Sequence, residues 1–352
     1  MSTQIKQSLT GMTRTELVEL LSSIEEPAYR ADQLHHWVYI KSAASWEQMS
    51  NVSKVLKQKL ATMVDISATQ IVQRLMSTDG TIKYLLEFGD GARVETVLMR
   101  FDNRPNLTAC VSTQVGCPVQ CVFCATGKRG FIRNLTHTEM VDQILTIQRD
   151  TGLKVSNIVF MGQGEPLFNY KNLVRAIHLL NESMEIGTRR ITVSTAGVIP
   201  EILKLGNEFP QLTLAVSLHA ASPEIRKTLV PLENKFSTPQ LIKTLKEYYN
   251  INRRRVTIEY VLIKDINDSL SEAKKLNTLL KDLHCNINLI PYNVIDPSAE
   301  YKSPEDDQVK MFKYILELSG KKVTVRLKRG NDIAAACGQL TGHCVNEENS
   351  TQ

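Results

Sequence analysis

Between about residue 105 and residue 290, a strand-length apolar run is followed by helically spaced residues again and again. The strand runs are 108–113, 157–161, 190–194, 213–218, 256–262 and 286–290. Helical stretches between them include 138–149, 170–182 and 269–283, with capping residues at Asn169 and at 267–269. Alternation of this kind predicts a parallel sheet with right-handed crossovers. Six units fall short of a closed eight-stranded barrel, so the expected fold class is α/β, a partial (β/α)6 barrel. A further strand run, 323–327, leads into a Gly-rich stretch.

The chain ahead of the alternation reads differently. The first ~65 residues carry apolar positions at helical spacing. Leu17, Leu20 and Leu21 form one face, Leu34, Trp37 and Val38 a second, and Val55, Leu56 and Leu60 a third. Three strand runs follow, 71–76, 82–88 and 94–99, separated by Asp79-Gly80 and Asp90-Gly91. Asp-Gly between apolar runs is a hairpin signal, so a β-meander is expected. The chain is expected to divide into a small N-terminal accessory domain (1–100, helices then meander), a core (101–345) and a tail (346–352).

Composition excludes several classes. Hydrophobic residues at 42% and charged residues at 22% of 352 are those of an ordinary soluble protein. There is no uninterrupted apolar run long enough to span a membrane, and no apolar signal core near the start. Seven cysteines, three of them in one loop, argue for reduced thiols and metal rather than a disulfide framework, hence for a cytoplasmic protein. A net charge of +5 is compatible with a nucleic-acid partner without requiring one.

In α/β barrels the active residues sit at the C-terminal ends of the strands. After the first strand stands GCPVQCVFCATG, with Cys117, Cys121 and Cys124. Three thiolates so spaced can each hold one iron of a [4Fe–4S] cluster, which usually takes four cysteines. The fourth iron is left open to a small molecule, and S-adenosylmethionine (SAM) can fill it through its amino and carboxylate groups. This resembles the radical-SAM signature. Zinc is the alternative, but a structural zinc site wants a second cysteine pair, and none is present.

The other strand ends carry polar groups too. Gly162-Gln163-Gly164-Glu165-Pro166 follows the second strand, and Gly164 with Glu165 suits a backbone ledge for SAM's polar end. Ser194 ends the third strand, Ser217, Leu218 and His219 the fourth, and Asn293 follows the sixth. Taken singly, each serine is a strand-end cap and His219 a packed residue. Together with the cysteine loop they form a candidate SAM site. Cys110 lies in the first strand, where a free Cys is commonly a small buried hydrophobe. Cys337 lies in GNDIAAACGQLTG, a small-residue segment able to present a thiol. Cys285, expected at a helix end, and Cys344 read as bystanders.

CVSTQVGCPVQCVFCATG, MGQGEP, VSLHA and RGNDIAAACGQL, in that order, resemble the RlmN family of dual-specificity RNA methyltransferases. PAYRADQLHHWVY, STDGTIK and RVETV resemble that family's accessory domain, so the resemblance covers nearly the whole chain. The related Cfr group carries Ala where this chain has Pro166, which favours RlmN. Gln163 and Val294 depart from the family's usual Met and Pro.

The resemblance implies methylation of C2 of one adenosine in the peptidyl-transferase centre of 23S rRNA, protein-free or early in assembly. It also implies methylation of the adenosine 3′ to the anticodon in some tRNAs. It implies a [4Fe–4S] cluster, two SAM per turnover and an electron donor such as flavodoxin. Cys337 would accept a methyl group, lose a hydrogen atom from it and add the carbon to C2. Cys110 would then attack the sulfur of Cys337, leaving a disulfide to be reduced. Glu95, in RVETV, matches the family's proton acceptor, although the residue by itself reads as a solvated strand position. Arg30, Lys54, Lys57, Lys128, Arg129, Arg133, Arg253–Arg255, Lys328 and Arg329 are candidate phosphate contacts from the accessory domain and the barrel rim. The alternatives are C8 methylation of the Cfr type and a non-catalytic, metal-containing RNA-binding protein.

Overall fold

A computed structural model describes residues 7–66, 69–101, 104–295 and 300–343. Cys344 and the tail 346–352 lie outside the described residues. At the N-terminal side, β1 (Gln7–Ser8) is followed by α1 (Arg14–Ser22), α2 (Tyr29–His35), α3 (Lys54–Ala61) and β2 (Val64–Asp65), and β1 pairs with β2 in parallel. Thr13 and Glu16 cap α1 reciprocally, satisfying two backbone donors that the first turn leaves open. Leu17, Leu21, Leu34, Val38, Leu56 and Leu60 are buried as the spacing predicts. Val55 is not: it is 74% exposed, because Leu56 and Leu60, one turn apart, fix the buried stripe of α3 and leave Val55 beside it.

The meander is present as β3 (Gln70–Met76), β4 (Ile82–Glu87) and β5 (Arg93–Phe101). The barrel strands follow. β6 (Arg104–Cys110) comes first, then a small ribbon of β7 (Gln114–Gly116) and β8 (Phe131–Asn134) with α4 (Ala125–Arg129) between them. Next come α5 (His137–Thr151), β9 (Asn157–Phe160), α6 (Tyr170–Glu182), β10 (Ile191–Thr195), α7 (Ile199–Glu208) and β11 (Thr213–Ser217). The series ends with α8 (Pro223–Leu229), α9 (Thr238–Asn252), β12 (Val256–Leu262), α10 (Leu270–Leu279), β13 (Cys285–Pro291), α11 (Asp306–Glu317) and β14 (Lys322–Val325).

One sheet of ten strands runs β14-β13-β12-β11-β10-β9-β6-β5-β4-β3. From β6 to β14 every pair is parallel, and from β6 to β3 every pair is antiparallel. The fold is the expected α/β partial barrel. The meander, however, is no separate sheet: Val97 stands opposite Cys110 and Leu98 opposite Ala109. A six-stranded open barrel has two unpaired edges, and unpaired edges invite foreign strands. Here β5 covers one edge and β14 the other. Cys285 opens β13 rather than ending a helix, and it is buried.

Candidate active site at the barrel rim

The cysteine loop hangs between β7 and β8. Cys117 follows β7, and Cys124 immediately precedes α4. Gly127 of α4 rests on the loop, where a Cβ would stand 2.7 Å from the carbonyl oxygen of Cys121, so only glycine allows the approach. All three thiols line one cavity of about 160 Å3. Yet no three His, Cys, Asp or Glu side chains among the described residues are gathered to hold a single metal ion. Three thiols on one cavity wall fit a cubane, one thiolate per iron, and lack the fourth ligand of a structural zinc site. Burial pushes Cys117 up to about 12 and Cys121 and Cys124 above the ordinary thiol range, and charge on a neighbouring thiolate adds to it. Metal binding, which displaces the protons, is what makes such a trio anionic at neutral pH.

The same cavity is lined by Gly164, Glu165, Ser194, Ser217, His219, Asn293 and Cys337. Gly164 has φ +104°, and a Cβ on it would lie 2.6 Å from the side chain of Gln114. The loop thus packs flat against β7 and turns its other face to the cavity. Glu165 is buried, with Oε1 accepting from the amide of Leu167 (3.1 Å) and Oε2 from that of Ala196 (2.7 Å). Burial raises its carboxyl to about 7. Each oxygen keeps a further lone pair for an incoming amino group. The hydroxyls of Ser194 and Ser217 stand 3.4 Å apart.

His219 has φ +61°, a left-handed backbone. Its Nδ1 accepts from the amide of Val261 at 3.0 Å, which places the ring proton on Nε2. Burial lowers its pKa to about 3, so the ring is a neutral donor at working pH.

Leu218 departs from expectation. Its side chain is fully buried and lines neither cavity described here, its amide donates to Glu259 O (3.0 Å), and its carbonyl accepts from Arg226 Nε (3.0 Å). A hydrophobic side chain between two rim residues of a buried strand turns to the core. Arg226 also donates to Ala196 O (2.6 Å) and to the buried Glu233 carboxylate (2.5 Å). One buried guanidinium therefore braces the loops after β10 and β11. Sequence reasoning missed it, because Arg226 reads as the solvated face of a short helix.

A second cavity of about 760 Å3 adjoins the first. Cys124, Met161, Asn293, Arg326 and Cys337 line both, whereas Cys110 lines only the larger. Cys337 is exposed and Cys110 buried, and both are free thiols. Asn293 Nδ2 donates to Cys337 O at 3.0 Å, while its buried Oδ1 has no partner among the described residues. Arg326 Nη1 stands 3.1 Å from Cys337 Sγ, and Nη2 stands 3.5 Å from Met161 Sδ. Burial, then charge on Cys337, pushes the Cys110 thiol up to about 12. A thiolate at Cys337 in turn raises Arg326 above its ordinary value, the largest influence on that guanidinium. In the sequence, Arg326 is one of several cations around β14, with nothing to single it out.

The segment that presents Cys337 is tied down from several sides. Gly338 O accepts from the amide of Ala125 (2.8 Å), and Leu340 O from Thr126 Oγ1 (2.7 Å), so the segment rests on α4. Asp332 accepts from Ser77 Oγ at 2.6 Å. Glu95, expected as a solvated strand residue, is 1% exposed. Its Oε1 pairs with Lys83 Nζ at 2.8 Å, and its Oε2 accepts from the amides of Thr341 (2.5 Å) and Gly342 (2.8 Å). Lys83 Nζ also donates to Ala334 O at 3.1 Å. Glu95 lines neither cavity and instead holds the Cys337 segment. The meander's place in the barrel sheet, which the sequence did not show, is what buries it.

The basic candidates separate. Lys328 and Arg329 line the larger cavity, and Arg329 lies over the ring of Phe101 at 4.7 Å. Arg129 turns inward to Thr341 O (3.2 Å), and Arg133 is held by Asp90 and Glu139. Arg30 lies over the Tyr29 ring, and Lys54 and Lys128 are exposed with Lys57 half-buried. Arg253–Arg255 immediately precede β12 and so lie at the opposite end of the sheet from the rim. Their expected rim position is corrected by the strand direction.

Two family models match the chain: the Radical SAM superfamily over residues 111–276, and the ribosomal RNA large subunit methyltransferase N-terminal domain over residues 7–66. The probable dual-specificity RNA methyltransferase RlmN of Alkaliphilus metalliredigens is 43% identical over 346 residues, covering 97% of this chain and 97% of the relative. That of Thermotoga maritima is 42% identical over 338 residues, covering 95% of this chain and 97% of the relative. The crystal structure of a radical SAM methyltransferase from Sphaerobacter thermophilus superimposes with a TM-score of 0.92 at 43% identity, covering 96% of this chain and 100% of that one.

Proposed function

This chain belongs to the RlmN family of radical-SAM RNA methyltransferases, with a [4Fe–4S] cluster and SAM as cofactors, and from that premise we propose its target and the roles of its residues. The target is C2 of one adenosine in the peptidyl-transferase centre of 23S rRNA, taken protein-free or early in assembly. Some tRNAs are methylated on the adenosine 3′ to the anticodon. The reductant is an electron-transfer protein such as flavodoxin, and the setting is the cytoplasm. Among the described residues no helix is long and apolar enough to cross a membrane.

The observation that carries this reading is the position of Cys337 in the wall shared by the two cavities. On one side stand the three cluster thiols and the polar rim. On the other stands a larger cleft with Cys110, Lys328 and Arg329 at its wall. A thiol there can collect carbon on one side and deliver it on the other.

We assign Cys117, Cys121 and Cys124 to the cluster. Gly164, Glu165, Ser194, Ser217, His219 and Asn293 receive SAM, with Glu165 toward its amino group and Leu218 only positioning its neighbours. C2 of adenine lies between two ring nitrogens and is too electron-poor to attack a methyl cation. A cluster held by Cys117, Cys121 and Cys124, with SAM on the polar rim, would supply the one-electron chemistry that activates an S-methyl group for transfer to such a carbon. Cys337 takes that methyl group beforehand by displacement, forming an S–C bond as S-adenosylhomocysteine leaves. Arg326 Nη1, 3.1 Å from the Cys337 sulfur, holds that sulfur in place for the displacement. Cys337 then carries the methylene to C2 of a base extruded from its stack. The adduct returns one electron to the electron carrier and loses the C2 proton. Cys110 then attacks the Cys337 sulfur, the S–C bond breaks with its electron pair going to carbon, that carbon takes a proton to complete the methyl group, and a disulfide remains for the reductant. For Glu95 to accept that proton it must first leave Thr341 and Gly342. In the arrangement described here it is a positioning residue.

The test is anaerobic incubation with SAM, reductant and unmodified rRNA, followed by nucleoside mass spectrometry. A 2-methyladenosine product is expected. An 8-methyladenosine product would move the chain to Cfr-type regiochemistry, and no product with intact cluster on rRNA or tRNA would overturn the reading.

A further inference from the structure

At the end of the barrel remote from the site, cations stand in a row. Arg189 and Arg190 precede β10, Arg253, Arg254 and Arg255 precede β12, Lys281 and His284 precede β13, and Lys321 and Lys322 lie at the start of β14. The parallel register sets these strand starts side by side, with Thr192 opposite Thr213, Val256 opposite Cys285 and Asn286 opposite Lys322. Side-chain contacts link them. Arg189 Nε and Arg254 Nη1 both donate to Gln211 Oε1 (2.8 and 3.4 Å), and Lys321 Nζ donates to Lys281 O (3.3 Å) and Leu283 O (2.7 Å).

The charge is not neutralised locally. None of these Arg and Lys residues forms an ion pair with a described residue; the partners found are amide, hydroxyl and carbonyl oxygens. Arg189, Arg190, Arg253, Arg255, Lys281 and Lys322 are exposed. Arg255, Lys281, His284, Lys321 and Lys322 share a concave site of about 210 Å3 whose single carboxylate, Asp282, stands 3.5 Å from Lys246. Beside it the exposed His284 stacks on Tyr249, with centroids 4.1 Å apart and planes at 19°.

Like charges held this close repel, and a polyanion relieves the repulsion while releasing its own counterions. At ~4.8 Å per strand step, the row from β10 to β14 spans roughly 19 Å, a length that meets several successive phosphates. An electron donor is the poorer occupant. The seven residues of β12, at ~3.3 Å each, put this face roughly 20 Å below the rim and its thiols.

We propose that this row is a second anchoring surface for the RNA phosphate backbone, engaged by a large RNA whose target adenosine sits at the rim and out of reach of a short hairpin. The proposal rests on RNA as the substrate, as read above. It separates a rim that selects the base from a remote face that contributes affinity without sequence preference.

The test compares the loaded wild-type enzyme with an Arg189→Gln, Arg190→Gln, Lys281→Gln, Lys322→Gln variant. Binding is measured over a salt series to a long rRNA fragment and to a short anticodon hairpin, with methyl transfer to the hairpin in parallel. The long fragment should bind at least about tenfold more weakly to the variant near 0.15 M salt. Its log–log salt slope should fall by roughly three, at ~0.7–0.9 per lost contact. Hairpin affinity and methylation should not change. An Arg190→Glu, Lys322→Glu pair repeats the test with charge reversed, and cluster absorbance checks that both variants are intact. An unchanged long-fragment slope would overturn the proposal and leave the row to an acidic protein partner. Equal losses on both RNAs would also overturn it, because the surface would then not be remote. Failure of the RNA-substrate reading itself would show separately, as a wild-type enzyme that methylates neither RNA.

Discussion

The cysteine loop and the Cys337 segment bring their thiols to the same cavity by opposite means. The loop is local: Cys117, Cys121 and Cys124 lie within eight residues, held by one ribbon and the first turn of α4. The Cys337 segment arrives from more than two hundred residues further on. It is seated by α4, by Asn293 from beyond β13, and by the buried Lys83–Glu95 pair of the meander. On the proposed function, local spacing suffices where an iron cluster would organise the loop, whereas a thiol proposed to deliver carbon between two cavities has its place set by the whole sheet.

The sharpest way to break the comparison is to remove one thiol of each kind. Cys117→Ala should lose most of its iron and all methylation, read by iron and sulfide analysis and nucleoside mass spectrometry. Cys337→Ala should keep its iron and lose all methylation without accumulating any protein–RNA adduct. Cys110→Ala should keep its iron and accumulate a covalent adduct, visible on a denaturing gel. Retained methylation in Cys337→Ala would refute the division of labour.

The next effect tests whether the segment is seated by the meander. Lys83→Met leaves the Glu95 carboxylate buried without its cation, which costs about 3–5 kcal/mol. Denaturant titration should show that loss, and limited proteolysis should cut first near residues 330–342. Lys83→Met with Glu95→Leu should be less destabilised than Lys83→Met alone while still releasing the segment.

A smaller effect concerns Arg326. Hydrogen bonds to charged groups contribute about 1.5–3 kcal/mol, so Arg326→Leu should slow methyl acceptance by Cys337 about tenfold to a hundredfold. Iodoacetamide labelling of the same thiol in cluster-free protein gives a readout independent of turnover. Arg326→Lys should recover part of the rate.

The smallest effect is a pH dependence on the cofactor side. Burial holds the Glu165 carboxyl at about 7, above its ordinary value, so below pH 7 it is protonated and a poor partner for an amino group. SAM affinity should rise with pH up to about 7 and level off above it, measured by anaerobic calorimetry, and Glu165→Gln should flatten the profile. The sign for stability is the same group read the other way. A carboxyl raised in the folded state favours folding at low pH, and that contribution is lost as pH rises from its unfolded value through about 7. His219 opposes it. Its pKa is lowered to about 3, so its contribution is lost as pH falls below its unfolded value of about 6.5.

What the sequence made legible follows the same division. The alternation of strands and helices, the hairpin turns of the meander and the cysteine spacing are all patterns within a few residues. Their elements stand within a few residues of where they were expected. Gly164, Glu165, Ser194, Ser217, His219 and Asn293 were legible because parallel strands put every C-terminal end on one rim. The docking of the meander on β6 was not, because edge pairing leaves no local signature. With it went the burial of Glu95 and Lys83. Arg226 and Arg326 were missed for another reason: each reads as one more surface cation, and only the packed loops show what it touches. Arg253–Arg255 were misplaced for a related reason. A basic run shows charge, and only the strand direction shows which end of the barrel bears it.

The central claim is that Cys337 carries the transferred carbon between the two cavities. It is tested most directly by running Cys110→Ala anaerobically with SAM, reductant and a short substrate RNA, then digesting the adduct and sequencing the cross-linked peptide by mass spectrometry. The account predicts one cross-link, a methylene joining Cys337 sulfur to C2 of the target adenosine. A cross-link at another residue, or methylated RNA released by Cys337→Ala, would contradict it.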